Sequence, residues 1–227
     1  MQDGTTRVGN ASAPLKNVDW TQLIRARLAG SQPQHAPSEW LVPGMWDRAA
    51  AASRHLFPEH PTPAAVLIPL VERAELTVLL TQRATQLRHH AGQVSFPGGR
   101  IDPGDGSPDA AALREAREEI GLDSSYVSVI GYLPDHLVIN GFRVTPVVAL
   151  VQPGFTLKPD AREVEDTFEV PLKFIFDPAN HHSQRRRSPF TGEEVNFIDV
   201  SYGGHTVWGA TAGMLMTLYR LCTAAPP

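Results

Sequence analysis

The amino-acid sequence predicts a mixed domain, either of the α+β class or with the layers of an α/β/α arrangement. Runs of residues with strand character alternate along the chain with isolated helical patterns, and no internal repeat is visible. The 20 prolines and 18 glycines among the 227 residues indicate many turns and long connections, which argues against a helical bundle. A chain of this length needs only one hydrophobic core.

The first 63 residues are predicted to form an extension that precedes the domain. Apolar residues recur at helical spacing over 20–28, after a candidate N-cap at Asp19 and before a stop signal at Gly30. A second short helix is predicted around 45–56, and the prolines on either side of it indicate a connector.

The domain itself is expected to cover 64–222, ahead of a short tail at 223–227. It opens with two strand-like runs, at 64–71 and 76–83, whose charged connection predicts a hairpin. The other predicted elements are strands at 126–133, at 144–151 and as a pair within 183–202, and helices near 171–175 and at 211–221.

A helix over 108–120 is the best-bounded element of the sequence. Ser107 is a good N-cap residue, and Pro108 suits the first helical position. Gly121 suits the left-handed conformation that commonly ends a helix. These local signals agree on both ends of the helix.

Three glutamates of this helix, Glu115, Glu118 and Glu119, are expected to project from one side, because a helix advances about 100° per residue. An acidic pair on a helix is most often a solvated face. Here, however, the segment before the helix contains Gly98 and Gly99, where no side chain blocks close approach of a ligand to the backbone. Clustered carboxylates repel one another unless a cation neutralises them, and such oxygen ligands suit Mg²⁺ or Mn²⁺ together with diphosphate oxygens.

Composition and charge exclude several other classes of protein. Hydrophobic residues make up 42% of the chain, and 20 lysines and arginines against 24 aspartates and glutamates give a net charge of −4. These values argue against intrinsic disorder and against nucleic acid as a partner. Because Cys222 is the single cysteine, a disulfide scaffold is excluded and a cytoplasmic location is expected. No apolar run reaches the length of a membrane span, so no membrane partner is expected.

The segment that leads into and forms the acidic helix, GGRIDPGDGSPDAAALREAREEIGL, resembles the Nudix box. Gly99 takes the position of the first glycine of the box, and the run from Arg114 to Leu122 supplies its closing REAREEIGL. There are two departures from the usual form. Asp105 stands at the first acidic position in place of glutamate, and eight residues rather than seven separate it from Arg114.

The sequence just upstream, LLTQRATQLRHHAGQVSFPGG at 79–99, resembles a second signature, which marks the coenzyme A pyrophosphatase branch of the Nudix hydrolase superfamily. That branch tolerates both departures, and within the signature Ala84 replaces a serine. Further similar segments extend the resemblance over roughly 64–222. The defining positions are matched by Leu79, Leu80, Thr81, Arg83, Arg88, Gly92, Phe96, Pro97, Gly98 and Gly99.

The resemblance implies the α/β/α sandwich of the Nudix fold, with a mixed central sheet. It implies that Glu115, Glu118 and Glu119 bind Mg²⁺ or Mn²⁺, with a backbone carbonyl of the glycine segment, at Gly99, as a further ligand. Glu163 resembles a position that adds a late carboxylate to the metal site or serves as the general base. The alternative for Glu163 is a solvated loop acid.

The resemblance also implies a role for two arginines of the signature. Arg83 and Arg88 are candidates either to bind phosphate oxygens, which the planar fork of arginine suits, or to organise the loop. Asp105 and Arg114 are expected to form a structural ion pair that ties the loop to the helix. The residues expected to contact the substrate are Arg83, Arg88, Gly98 and Gly99.

The implied reaction is metal-assisted hydrolysis of the diphosphate of coenzyme A, or of an acyl or oxidised derivative, to 3′,5′-ADP and 4′-phosphopantetheine or its derivative. ADP-ribose, dinucleotides, nucleoside triphosphates and capped RNA remain open as alternative substrates. A catalytically silent binder of nucleotide or coenzyme A conflicts with the presence of all three helix glutamates. An RNA-associated protein that uses Arg185 to Arg187 lacks the expected basic charge balance. Homodimerisation is an expectation at the level of the family.

Overall fold

The computed structural model describes residues 18–33, 40–41, 58–87, 90–138, 141–187 and 194–224. In these residues, helices pack on both faces of a large sheet. The helices are α1 (Trp20–Leu28), α2 (Pro108–Ile120), α3 (Leu172–Ile175) and α4 (Gly209–Thr223). The strands are β1 (Thr62–Glu72), β2 (Leu76–Arg83), β3 (Val94–Ser95), β4 (Gly98–Arg100), β5 (Val127–Tyr132), β6 (His136–Val138), β7 (Phe142–Val151), β8 (Val164–Pro171), β9 (His182–Arg187), β10 (Glu194–Tyr202) and β11 (His205–Val207).

The central sheet is mixed, which confirms the prediction. Its path runs β3-β2-β1-β7-β5, while β4 pairs with β1, β6 with β7 and β8 with β2. β1 and β7 are parallel from Thr62↔Phe142 to Val71↔Val151, and the other described pairs of this sheet are antiparallel. Both central strands are almost continuously apolar because each of their faces is covered.

The helices form the two outer layers of a sandwich. Ala116 and Ile120 of α2 are buried against one face of the sheet, in a cluster with Leu67 of β1. On the other face, Ile24 of α1 and Leu215 of α4 join a second apolar cluster. None of the helices within the described ranges is long and apolar enough to span a membrane. The predicted α/β/α sandwich is therefore confirmed.

Separation of β1 from β2 makes room for the glycine segment. The two strands pair from Leu70↔Val78 to Glu72↔Leu76, next to their connecting turn. Farther from the turn, β4 pairs with β1 and β3 pairs with β2. The segment 94–100 therefore lies between the two strands, at the end of the sheet where the candidate site is found.

Local sequence signals set the helix ends where they were predicted. The Asp19 carboxylate accepts a hydrogen bond from the backbone N–H of Gln22 at 3.0 Å and caps α1. The Ser107 hydroxyl accepts one from the N–H of Ala110 at 3.3 Å and caps α2. Gly121 ends α2 with a φ of 68°, a conformation that glycine adopts without steric cost.

Several elements differ from the sequence prediction. The acidic run at 164–171, predicted as a charged connection, forms β8 because its backbone pairs with β2 along Thr77–Arg83. The strand pair predicted within 183–202 is extended to a three-stranded sheet by β11. β1 begins at Thr62, slightly before the predicted start of the domain. The helix predicted around 45–56 lies outside the described residues.

Candidate active site

The glycine segment passes too close to its neighbours to carry side chains. A Cβ on Gly98 would lie 2.6 Å from the Cα of Val66, on the adjacent strand β1. A Cβ on Gly99 would lie 2.5 Å from the carboxylate carbon of Glu115 on α2. Glycine at these positions therefore allows the helix carboxylates and the strand backbone to approach each other.

Glu119 is the most deeply placed of the helix carboxylates, with 6% of its surface exposed. One carboxylate oxygen accepts a hydrogen bond from the N–H of Gly98 at 3.2 Å, and the other lies 4.0 Å from Nη1 of Arg83. Burial raises the pKa of Glu119 to about 7, because these two contacts only partly compensate for lost hydration. The charges of Glu115 and Glu163 raise this pKa further.

Arg114 connects the other two helix carboxylates. Its Nη1 donates to Glu115 at 3.0 Å and to Glu118 at 3.2 Å. Burial raises the pKa of Glu115, although the Arg114 guanidinium acts against this effect. Glu118 is different because 60% of its side chain is exposed. The three glutamates therefore share one side of α2 but lie at different depths.

Arg114 also ties the loop before α2 to the helix. Its Nε and Nη2 donate to the two oxygens of Asp105 at 2.8 and 3.0 Å, in the planar two-bond geometry that suits arginine and carboxylate. Nη2 also donates to the carbonyl of Arg100 at 3.1 Å, at the end of β4. The hydrogen bonds that Arg114 donates to Asp105 lower the pKa of the Asp105 carboxyl. The ion pair holds the loop and β4 against the acidic face of α2.

Arg83, at the end of β2, and Glu163, just before β8, approach the site from the β2–β8 strand pair. Arg83 follows an irregularity in the β2–β8 pairing, and the N–H of the next residue, Ala84, donates to the carbonyl of Glu163 at 2.9 Å. The Glu163 charge raises the pKa values of Glu115 and Glu119, which places its carboxylate within electrostatic reach of both. The Nε of Arg83 is buried and has no hydrogen-bond partner among the described residues. A buried N–H donor of this kind suits an anionic ligand.

The carboxylate oxygens at this site are suitable ligands for a hard divalent cation, although the side chains do not surround a common centre. Within the described residues, no three His, Cys, Asp or Glu side chains are close enough together to enclose a metal ion. The Arg114 guanidinium instead supplies positive charge to Glu115 and Glu118. Carboxylate oxygens beside a glycine backbone are the ligands that Mg²⁺ and Mn²⁺ prefer. Arg114 contacts one oxygen of Glu115 and one of Glu118, so the second oxygen of each carboxylate is not used by this arginine.

The structure does not bring every predicted residue to this site. Arg88 lies outside the described residues, so its role stays a prediction. Arg185 is exposed on β9 of the second sheet. Cys222 is buried in α4, where burial raises the pKa of its thiol to about 11 and so disfavours the reactive thiolate.

A turn that the sequence did not single out positions Glu163. The N–H of Asp160 donates to the carbonyl of Glu119 at 2.9 Å, and the carbonyl of Asp160 accepts from the N–H of Glu163 at 2.9 Å. Arg162 donates to both oxygens of Asp160 and lowers the pKa of that carboxyl to about 2. The turn thereby holds Glu163 beside the end of α2. The density of charge around 160–166 was its only signal in the sequence.

Comparison with known proteins identifies the domain. The sequence profile of the NUDIX domain matches residues 61–189. The chain belongs to the Nudix family. It is 44% identical over 158 residues to the uncharacterized Nudix hydrolase NudL of Citrobacter koseri, covering 68% of this chain and 80% of that protein. It is 43% identical to NudL of Escherichia coli K12, with the same coverage.

The chain is also similar to solved structures of other Nudix proteins. A MutT/nudix family protein from Enterococcus faecalis is 18% identical, with a TM-score of 0.46 over 74% of this chain and 66% of that one. A Nudix hydrolase from M. smegmatis, RenU, is 26% identical, with a TM-score of 0.41 over 50% of this chain and 71% of that one.

Proposed function

We propose that this Nudix protein is a divalent-metal-dependent hydrolase that cleaves the diphosphate of coenzyme A, or of an acyl or oxidised derivative. The products would be 3′,5′-ADP and 4′-phosphopantetheine or its derivative. The observation that carries the hydrolase proposal is the buried Glu119 carboxylate, which lies between the Gly98 N–H and Arg83 and within a group of further carboxylates. The choice of coenzyme A rests on the resemblance of 79–99 to the branch signature.

The proposed metal ligands are Glu115, Glu118, Glu119 and the backbone carbonyl of Gly99. When bound, Mg²⁺ or Mn²⁺ supplies positive charge to the diphosphate and lowers the pKa of a coordinated water. The protein contributes the acidic face that makes cation binding favourable, because burial and the charge of Glu163 raise the pKa values of Glu115 and Glu119. Asp105 and Arg114 hold the loop against this face.

The remaining residues bind the substrate and accept a proton from the attacking water. The buried Nε of Arg83 is placed to donate to a phosphate oxygen, and the backbone at Gly98 and Gly99 lets the diphosphate approach α2. Glu163 is proposed as the general base that accepts a proton from the attacking water. As the water oxygen forms a bond to phosphorus, the bond from that phosphorus to the bridging oxygen breaks. The proton then passes from Glu163 to solvent.

ADP-ribose, dinucleotides, nucleoside triphosphates and capped RNA are the alternative substrates within the same class. They share the diphosphate and differ in the groups attached to it, so the carboxylate site accommodates any of them. A silent binding domain is the remaining alternative. The retained carboxylates, with their unfavourable mutual charge, argue against it.

The test is incubation of the purified protein with coenzyme A, ADP-ribose and ATP, each with Mg²⁺, with Mn²⁺ and with excess chelator, followed by chromatographic identification of products. We expect 3′,5′-ADP from coenzyme A, loss of turnover in chelator, and recovery when Mg²⁺ is restored. Cleavage of ADP-ribose with coenzyme A left intact would refute the substrate and leave the hydrolase proposal standing. Undiminished turnover in chelator would refute the metal requirement.

A further inference from the structure

A cavity on the second sheet is not used by the proposed chemistry. Its volume is about 330 Å³, near the lower end of the range for ligand pockets, so it suits one ring system better than a whole nucleotide. The side chains belong to the face of β9–β11 that points away from the apolar core. They are Gln184, Phe197, Asp199, Thr206 and Trp208.

The strand register explains why these side chains meet. Phe197 pairs with Gln184 on β9, and Ser201 pairs with Thr206 on β11. Because alternate residues of a strand face the same side, Asp199 lies between Phe197 and Ser201 on the cavity face. Continuing the β10–β11 register brings Trp208 opposite Asp199. The cavity therefore combines a carboxylate with two aromatic rings.

Asp199 is a nearly buried carboxylate on the cavity face. It is 8% exposed, and no side chain or N–H of the described residues donates a hydrogen bond to its carboxylate or forms an ion pair with it. Burying a carboxylate without such partners is costly, so N–H donors from a ligand would be favourable. The Trp208 side chain is 40% exposed. Among the described residues, it is the one large hydrophobic side chain classed as exposed. An indole offers a stacking surface for a planar ring.

The cavity is connected to the candidate active site through β3. Thr211, one helical turn after Trp208, donates from its hydroxyl to the carbonyl of Val94 at 3.0 Å. Val94 pairs with Gln82, which precedes Arg83 in β2. From the usual spacing of paired strands and the rise of a helix, the cavity lies within roughly 20 Å of Arg83. One substrate of the size of coenzyme A can therefore reach both places.

We propose that this cavity binds an aminopurine ring and that, in the proposed coenzyme A reaction on which this assignment rests, the ring is the adenine of the substrate. The exocyclic amino group would donate to Asp199 while the ring stacks on Trp208. A carboxylate accepts hydrogen bonds and cannot donate them, so it favours adenine over hypoxanthine, which has a carbonyl at the same position. The pantetheine arm also carries N–H donors but has no ring to stack.

The first test compares the equilibrium binding of three compounds: 3′,5′-ADP, the corresponding inosine bisphosphate, and 4′-phosphopantetheine. We expect the wild-type protein to bind the adenine compound about tenfold more tightly than the hypoxanthine compound. Asp199→Asn should bring this ratio close to one, because its amide N–H₂ can donate to the hypoxanthine carbonyl. Glu75→Gln, which removes an exposed carboxylate that does not line the cavity, should leave the ratio unchanged.

Substitutions of Trp208 provide a test that does not depend on the Asp199 variant being folded. Trp208→Leu removes the stacking surface and should weaken both purine compounds by about tenfold, whereas Trp208→Phe retains an aromatic face and should preserve most of the affinity. Binding of 4′-phosphopantetheine should not change in either variant.

The outcomes separate this assignment from the proposed reaction. A purine ratio that is the same in the wild type and Asp199→Asn, or a loss of pantetheine binding in the Trp208→Leu variant, would overturn the adenine assignment even if coenzyme A is hydrolysed. If coenzyme A is not hydrolysed but the adenine preference depends on Asp199, the cavity assignment holds and the proposed reaction fails.

Discussion

Two groups of buried polar side chains in this protein differ in how fully they are paired. In the carboxylate site, Glu119 receives one backbone hydrogen bond and lies 4.0 Å from a guanidinium nitrogen. In the second group, beside β6, His136 has no exposed surface and both of its ring nitrogens have partners: the carbonyl of Pro134 at 2.8 Å and the hydroxyl of Thr217 at 3.2 Å. Burial shifts both pKa values toward the neutral form, to about 7 for Glu119 and about 4 for His136.

The neighbour of His136 shows the same pattern of pairing. Asp135 is completely buried, accepts a hydrogen bond from the Thr145 hydroxyl at 2.8 Å and lies 3.3 Å from Nη1 of Arg143. The charged and polar groups beside β6 are therefore contacted by other protein groups, which join β6, β7 and α4. The carboxylate site retains excess negative charge, which a cation from solution can satisfy. This difference distinguishes a structural polar group from a candidate functional one.

The largest expected effect is that of Glu119→Gln on activity. We expect kcat/KM to fall by about a hundredfold or more, because the substitution removes a proposed metal ligand. The same substitution should stabilise the metal-free protein at pH 8. The folded-state pKa of Glu119 is raised to about 7, so stability falls as pH rises through the range from about 4.5 to 7, and Gln avoids this loss.

Both effects can be measured together. Steady-state kinetics with Mg²⁺ give the first, and denaturant unfolding in chelator at pH 8 should show a gain of about 1 to 3 kcal/mol. Glu75→Gln is the matched control on an exposed carboxylate. A Glu119→Gln variant that unfolds, or that keeps a rate near that of the wild type, would remove the contrast between the two polar groups.

A second prediction concerns the pH dependence of stability that His136 causes. Because its folded-state pKa is lowered to about 4, the unfolded chain takes up a proton between about pH 6.5 and 4 while the folded protein does not. The His136 contribution to stability should therefore fall as pH is lowered through this range, by about 3 kcal/mol in total, opposite in sign to the Glu119 contribution. Denaturant unfolding in chelator at a series of pH values measures this contribution as the difference in unfolding free energy between the wild type and His136→Gln, which should decrease by that amount between about pH 6.5 and 4. A difference that does not change with pH would assign the effect to other groups.

A third prediction concerns Arg83. Its position 4.0 Å from Glu119 favours contact with the scissile diphosphate over contact with the 3′-phosphate of coenzyme A. Arg83→Lys keeps the charge but loses the planar fork, so kcat/KM should fall by about tenfold for coenzyme A and for its 3′-dephospho form alike. Arg25→Lys, an exposed substitution on α1, is the matched control. A loss confined to coenzyme A would instead assign Arg83 to the 3′-phosphate.

Local sequence signals were sufficient to predict some parts of the structure. Caps and helix-ending residues gave the bounds of α2, since Ser107 and Gly121 act within one turn of the chain. Helical periodicity also put three glutamates on one side of α2. It could not show that Glu119 is buried while Glu118 is 60% exposed, because depth depends on β1 and β4, which pack against the helix.

Other parts depend on distant regions of the chain. β8 was missed because acidic residues at 165–166 hide its strand character, and the edge of β2 supplies the hydrogen bonds that make it a strand. The same nonlocal pairing puts Glu163 near α2. The buried Nε of Arg83 has no local signature, since its surroundings include β8, which is far from β2 in the sequence. The cavity beside Asp199 is formed by three consecutive strands, but it depends on their pairing register, which the sequence pattern did not give.

The smallest effect is expected from the loop that supports the carboxylate site. Asp105→Asn weakens the two-bond contact with Arg114, which then holds Glu115 and Glu118 less firmly, so we expect kcat to fall by about threefold to tenfold with KM little changed. Asp102→Asn is the matched control, because Asp102 is 65% exposed and lies 3.7 Å from the same guanidinium. Initial rates over a range of substrate concentrations, with saturating Mg²⁺, separate kcat from KM. If the two variants behave alike, the Asp105 contact does not position the carboxylates, and the acidic face of α2 is organised by the helix alone.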